Sequence, residues 1–175
     1  MRRFCITIGF LIVLFACEEK KKKQLDLLFE SKADYEKTMI LSHKEFLKKE
    51  KVKIQKFVDS TKLEFKKTGT GLQYHIYQPS LGDSIKTKEI AFIAYCLTSI
   101  AGDTLYESPA GKLQEFMVDY DVVETGLHEG IKKMRVGEKA YLILPAHLAH
   151  GITGDQAAIP SQTTLVYDIH LVAKR

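Results

Sequence analysis

The hydrophobic period of this chain changes once, at Thr68-Gly69-Thr70-Gly71, and that change limits the fold to a few arrangements. Beyond it, apolar residues fall in short runs of strand length: Leu72 to Gln78, Ile90 to Ser99, Thr104 to Tyr106, Leu113 to Val118, Lys139 to Leu144 and Thr164 to Ala173. Ala101-Gly102-Asp103 supplies a tight turn between two of them. Between the fourth and fifth runs, Thr125 to Met134 reads as a helix that ends before Val136-Gly137. Residues 69–175 are therefore expected to form one α+β domain, a mostly antiparallel sheet with a single short helix.

Ahead of the boundary the pattern is helical. Ser42-x-x-Glu45 has capping-box spacing, and Phe46, Leu47, Ile54, Phe57 and Val58 follow at helical intervals. The spacing predicts a helix from about Ser42 to Val58, with an earlier one over Asp34 to Leu41, so that residues 34–68 form a helical stalk. The heptads are too few for a coiled coil. Three roles stay open to the stalk: packing on the domain, self-association with a second copy, or spacing the domain from a membrane.

The first residues belong to neither part. Arg2-Arg3 is followed by Phe4 to Ala16, apolar except for Thr7 and Gly9, and then by Glu18-Glu19 and four lysines. That is the layout of an export signal over residues 1–16, too short to span a bilayer, which takes roughly 20 apolar residues. Its ending, Leu14-Phe15-Ala16-Cys17, resembles the lipobox of bacterial lipoproteins. The resemblance implies lipidation of Cys17, with residues 17–33 as a charged tether, and places the domain in the bacterial cell envelope, at the outer membrane or the periplasmic face of a membrane. An ordinary secretory signal with an incidental Cys is the alternative.

Cysteine and charge usage narrow the choices further. With Cys5 lost and Cys17 acylated, only Cys96 remains, which leaves no intrachain disulfide; its apolar surroundings, Ile93 to Leu97, predict a buried structural thiol. Residues 17–70 carry 15 lysines against 10 acids, net +5, whereas residues 71–175 carry 9 basic residues against 12 acids, net −3. The basic segment fits an anionic lipid surface or a solvated helix face. Its basic residues lack interleaved aromatics and the domain is acidic, which argues against nucleic acid as a partner.

The order of motifs within the domain is more specific than any one of them. Leu127-His128-Glu129-Gly130-Ile131 leads through Met134-Arg135-Val136-Gly137-Glu138 to Leu144-Pro145, then Ala149-His150-Gly151, Ala158-Ile159-Pro160 and Thr164-Leu165-Val166-Tyr167-Asp168-Ile169. Gly71-Leu72-Gln73-Tyr74, Ala94-Tyr95, Gly102 and Leu105 precede them. This series resembles the FKBP-type peptidyl-prolyl cis-trans isomerases. With the lipobox and stalk added, the whole chain resembles the gliding-motility-associated lipoprotein form of that family. The resemblance implies an antiparallel, curled β-sheet packed on one short helix, with a peptide cleft between them that binds proline-containing polypeptide segments.

Carried over one position at a time, the resemblance lines the cleft with Tyr95, Leu105, Phe116, Val123, Leu127, Ile159 and Tyr167. It assigns the Ile159 backbone N–H to a substrate carbonyl and Tyr167 to the base wall. Glu124 falls where the family has an apolar residue whose backbone contacts the ligand. Tyr106 replaces the family's cleft Asp, Leu127 its helix Trp, His150 its Tyr and Ser161 its second Pro. Gly130 and Gly137 read as backbone requirements at the helix and the turn after it. His147-Leu148-Ala149-His150 has metal-like spacing but no third ligand, so His150 is read as a hydrogen-bond donor at the cleft rim and no metal or cofactor is expected. The leading expectation is a prolyl isomerase for exported or cell-surface proteins, linked to gliding motility. A binding module with little catalysis, motivated by Tyr106 and His150, and a scaffold lipoprotein of the motility or secretion apparatus are the alternatives.

Overall fold

A computed structural model describes residues 32–175. Signal, lipobox and most of the tether lie outside the described residues. The chain divides into two compact units, through Lys48 and from Lys49 onward.

Helix α1 runs unbroken from Lys32 to Thr61. It does not begin at Ser42, because Asp34 to Leu41 is already helical and the Glu45 N–H has an intrahelical acceptor one turn back, leaving a cap nothing to satisfy. Among the described residues no helix is long and apolar enough to cross a membrane.

Seven strands follow the helix in one antiparallel sheet: β1 (Lys66–Lys67), β2 (Gln73–Gln78), β3 (Ile90–Ser99), β4 (Thr104–Glu107), β5 (Gln114–Met117), β6 (Lys139–Leu144) and β7 (Leu165–Lys174). Their order is β1-β2-β6-β7-β3-β4, and β5 shares the outer edge of β3 with β4. Strand β3 pairs with β5 over Ile90 to Ile93 and with β4 from Cys96 to Thr98. The two-residue β1 lies upstream of the expected boundary; a pair of lysines carries no alternation to read.

Alternation sorts the central strands cleanly. Ala91, Ile93 and Leu97 of β3, Ala140, Leu142 and Leu144 of β6, and Leu165, Tyr167, Ile169 and Leu171 of β7 join one buried cluster. Helix α2 (Thr125–Ile131) presses Leu127 and Ile131 into that cluster. Its approach needs glycine: a Cβ on Gly126 would lie 2.5 Å from Leu144 Cγ, and one on Gly130 would lie 2.6 Å from Leu142 Cδ1. Gly130 thus serves close packing, while Gly137, at φ +89°, serves a turn. The helix stops three residues short of Met134, in a turn whose Met134 N–H bonds the Ile131 carbonyl.

The opposite face of the sheet has a second, smaller cluster. Ile143 and Val166 meet Ile54, with Phe57, Val58, Phe65 and Ile100 packed around them. The second half of α1 therefore packs on the sheet. Cys96 belongs to this outer face and is half-buried rather than buried, because it alternates with Tyr95 and Leu97.

Candidate functional site

Two cavities of about 510 and 460 Å³ lie along the outer face, one beneath the loop Ser108 to Leu113 and one beside Phe57 and Phe65. A third, of about 210 Å³, opens between the inner face and α2. Only the third gathers the expected cleft residues. Tyr95, Tyr106, Phe116, Val123, Glu124, Leu127, His150, Ile159 and Tyr167 all line it. Leu105 does not. Tyr106, opposite Leu97 of β3, takes the wall position, while Leu105 falls at the register shift between β3 and β4 and packs against the inner cluster.

Each element delivers its side chain for a local reason. Leu97 of β3 pairs with Tyr167 of β7, and Tyr95 with Ile169, so both tyrosines share the inner face. Their rings sit 5.5 Å apart at 57°, an aromatic contact of favourable geometry. Phe116, opposite Ala91, is buried and meets the His128 ring edge-on. Leu127 forms part of the wall from the first turn of α2, a smaller residue than the tryptophan of the family pattern.

The polar half is a network centred on two carboxylates. Glu124 Oε1 accepts from the Tyr167 hydroxyl at 2.9 Å and lies 3.0 Å from His150 Nε2. Burial, then the Glu124 charge, holds the Tyr167 phenol well above its usual range. The same two causes raise Tyr95. Asp155 is the charged lining residue that sequence reasoning missed. Its Oδ2 accepts from the Tyr106 hydroxyl, while its Oδ1 accepts from the backbone N–H of Ala157 at 2.9 Å and of Ile159 at 2.7 Å. The bond to Ala157, two residues on, is an Asx-turn contact, and Gly154-Asp155 between the two motifs was the available signal.

Asp155 corrects one expectation. The Ile159 N–H, assigned to a substrate carbonyl, is already taken by the Asp155 carboxylate. Among the described residues the Glu124 backbone N–H has no acceptor, and Glu124 lines the same cavity. Preceding a helix turn leaves that donor without an intrahelical partner. His147 turns away from this wall, its Nε2 lying 2.9 Å from the Thr70 carbonyl. Among the described residues no group of three His, Cys, Asp or Glu side chains could hold a metal.

The Tyr106 hydrogen bond, aided by the two backbone N–H donors, lowers the Asp155 carboxyl to about 2. Because this folded-state value lies below the ordinary carboxyl value, the bonds contribute stability above about pH 4 and lose it as pH falls toward 2. A carbon-13 titration of the Asp155 carboxyl should show a midpoint near 2, with Tyr106 ring signals constant from pH 8 to pH 4. A midpoint near 4 would contradict the network.

An antiparallel sheet, one short helix on its inner face and an aromatic-walled cavity between them define an α+β domain built around a small apolar ligand site. The crystal structure of FkpA from Escherichia coli has this fold: it superposes with a TM-score of 0.65 at 24% identity, covering 97% of this chain and 92% of that one. The chain belongs to the FKBP-type peptidyl-prolyl cis-trans isomerase family, whose model matches residues 82–172. A probable FKBP-type peptidyl-prolyl cis-trans isomerase of Haemophilus influenzae is 27% identical over 109 residues, 62% of this chain and 45% of that protein. The FkpA isomerase of Buchnera aphidicola is 29% identical over 152 residues, 87% of this chain and 58% of that protein. The chain thus spans about half the length of these curated relatives.

Proposed function

We propose that this chain is a peptidyl-prolyl cis-trans isomerase of the bacterial cell envelope, anchored by lipid on Cys17 and acting on proline-containing segments of exported or cell-surface proteins. The cavity walled by Phe116, Val123, Leu127, Ile159 and Tyr167 carries the reading, because it offers a proline ring an apolar, aromatic seat. Rotation about an X-Pro bond passes through a twisted amide that has lost its resonance, over a barrier of about 18–20 kcal/mol. The planar amide is more charge-separated than the twisted one. A water-poor apolar seat therefore favours the twisted form, and a backbone donor that fixes a flanking carbonyl adds orientation. The Glu124 N–H is that donor in this reading.

Export and the lipid anchor rest on the basic start, apolar run and lipobox-like ending; a link to gliding motility rests on their combination with the helix and the domain. Self-association through α1 is supported by the exposed Met39, Ile40 and Leu41. A second reading, a peptide-binding module with little catalysis, is favoured by Asp155, which withholds the Ile159 N–H.

Uncatalysed isomerisation takes tens to hundreds of seconds at 25 °C, so acceleration of a short Xaa-Pro peptide by micromolar protein is readily measured. The isomerase reading expects a rate proportional to protein concentration. Tight peptide binding at the uncatalysed rate would leave the binding module instead.

A further inference from the structure

Resting on the isomerase reading, the geometry points to Glu124 as a specificity-determining residue that makes the cleft select a lysine or arginine immediately before the proline. The side chain is nine-tenths buried, yet only one of its oxygens is used: Oε1 takes both the Tyr167 and His150 contacts, and Oε2 has no hydrogen-bond partner among the described residues. No side-chain oxygen there is both sealed from solvent and unpaired, so Oε2 opens on accessible space. Glu124 lines the cavity, and that space is where a peptide would lie.

The surroundings favour a cation in two further ways. The lining holds a second carboxylate, Asp155, and no lysine or arginine, with His150 its only basic side chain. Both Asp155 oxygens are occupied by neighbouring donors, so Asp155 adds negative potential while Glu124 alone keeps a free acceptor. The ring of Tyr95, half-buried and lining the same cavity, offers cation–π attraction beside that acceptor. Proline fills the apolar wall. The residue before it shares the isomerising amide, and in this proposal its side chain lies toward Glu124 in the same small cavity. A charge paired in a partly desolvated site is attracted more strongly than one in bulk water.

A purely structural Glu124 would only satisfy the Tyr167 hydroxyl and His150, and Glu124→Gln keeps an oxygen for that purpose while removing the charge. The experiment measures kcat/KM of the purified chain for matched Lys-Pro, Leu-Pro and Glu-Pro peptides at low salt. Lys-Pro is expected to exceed Leu-Pro by about tenfold, with Glu-Pro lowest. The preference should shrink with added salt and fall to near one in Glu124→Gln. A wild-type Lys-to-Leu ratio within about twofold of one, or a preference that survives Glu124→Gln, would overturn the proposal. If no peptide is accelerated, the isomerase reading fails by itself. Calorimetric affinities of wild type and Glu124→Gln for the same peptides then decide the charge preference by the same ratios.

Discussion

Tyr167→Ala is expected to destabilise the protein by about 3–5 kcal/mol, the range for deleting a buried aromatic ring, and to lower the proposed isomerase activity at least tenfold where the variant is still folded. The ring is 3% exposed and belongs to the central cluster. It pairs with Leu97 on one side and Leu142 on the other, and contacts Tyr95. Removing it opens a void beneath the cavity and withdraws one of its walls. Tyr167→Phe separates the two roles, since it keeps the ring and loses only the hydroxyl donated to Glu124. That loss should cost about 0.5–1.5 kcal/mol. Urea unfolding monitored by far-UV circular dichroism measures both, and equal costs for the two variants would show that the hydroxyl, not the ring, carries the wall.

The second large effect lies far from the cavity. Glu50→Ala should cost about 2–6 kcal/mol, because it strands two buried donors at about 1–3 kcal/mol each. Glu50 is 5% exposed, and its Oε1 accepts from the Ala146 N–H and the Thr164 hydroxyl, both at 2.7 Å. One carboxylate of α1 thereby holds the turn after β6 and the entry to β7. The first of those turns continues into the site: the Leu148 carbonyl accepts from Thr125 Oγ1 at the start of α2, and His150 follows two residues on. Glu50→Gln keeps an acceptor and should recover a large part of the loss. A lower denaturation midpoint with unchanged slope would report a loss of stability alone, and an unchanged midpoint for Glu50→Ala would refute the clamp.

Legibility followed the reach of the signal. Strands β3 and β6 have the bounds their alternation predicts, and β7 is displaced by one residue at each end. Runs of β-branched and apolar residues carry their own period, so neighbours in space add little. The capping-box start at Ser42 failed because the same four residues are compatible with a cap and with mid-helix, and the helical segment before them decided. Leu105 and Tyr106 were both expected in the cleft; the register shift between β3 and β4, which no short run of residues announces, leaves Tyr106 on the wall and Leu105 packed against the inner cluster.

Asp155 and Glu50 show the other limit. Neither stands in an apolar pattern, and each acquires its role from donors brought to it by the fold, Ile159 and Tyr106 in one case, Ala146 and Thr164 in the other. By itself the sequence determined the family and the sheet-and-helix class, and nine of its ten expected cleft residues are among the fourteen around the cavity, because ordered motifs and hydrophobic period are local properties of a chain. Tertiary structure alone decided that the second half of α1 packs on the outer face through Ile54, and that Asp155 claims the Ile159 N–H while Glu124 keeps a free oxygen. Hydrogen bonding and charge act through distance in space, and residues 26, 43 or 114 positions apart have no shared period from which such distances could be read.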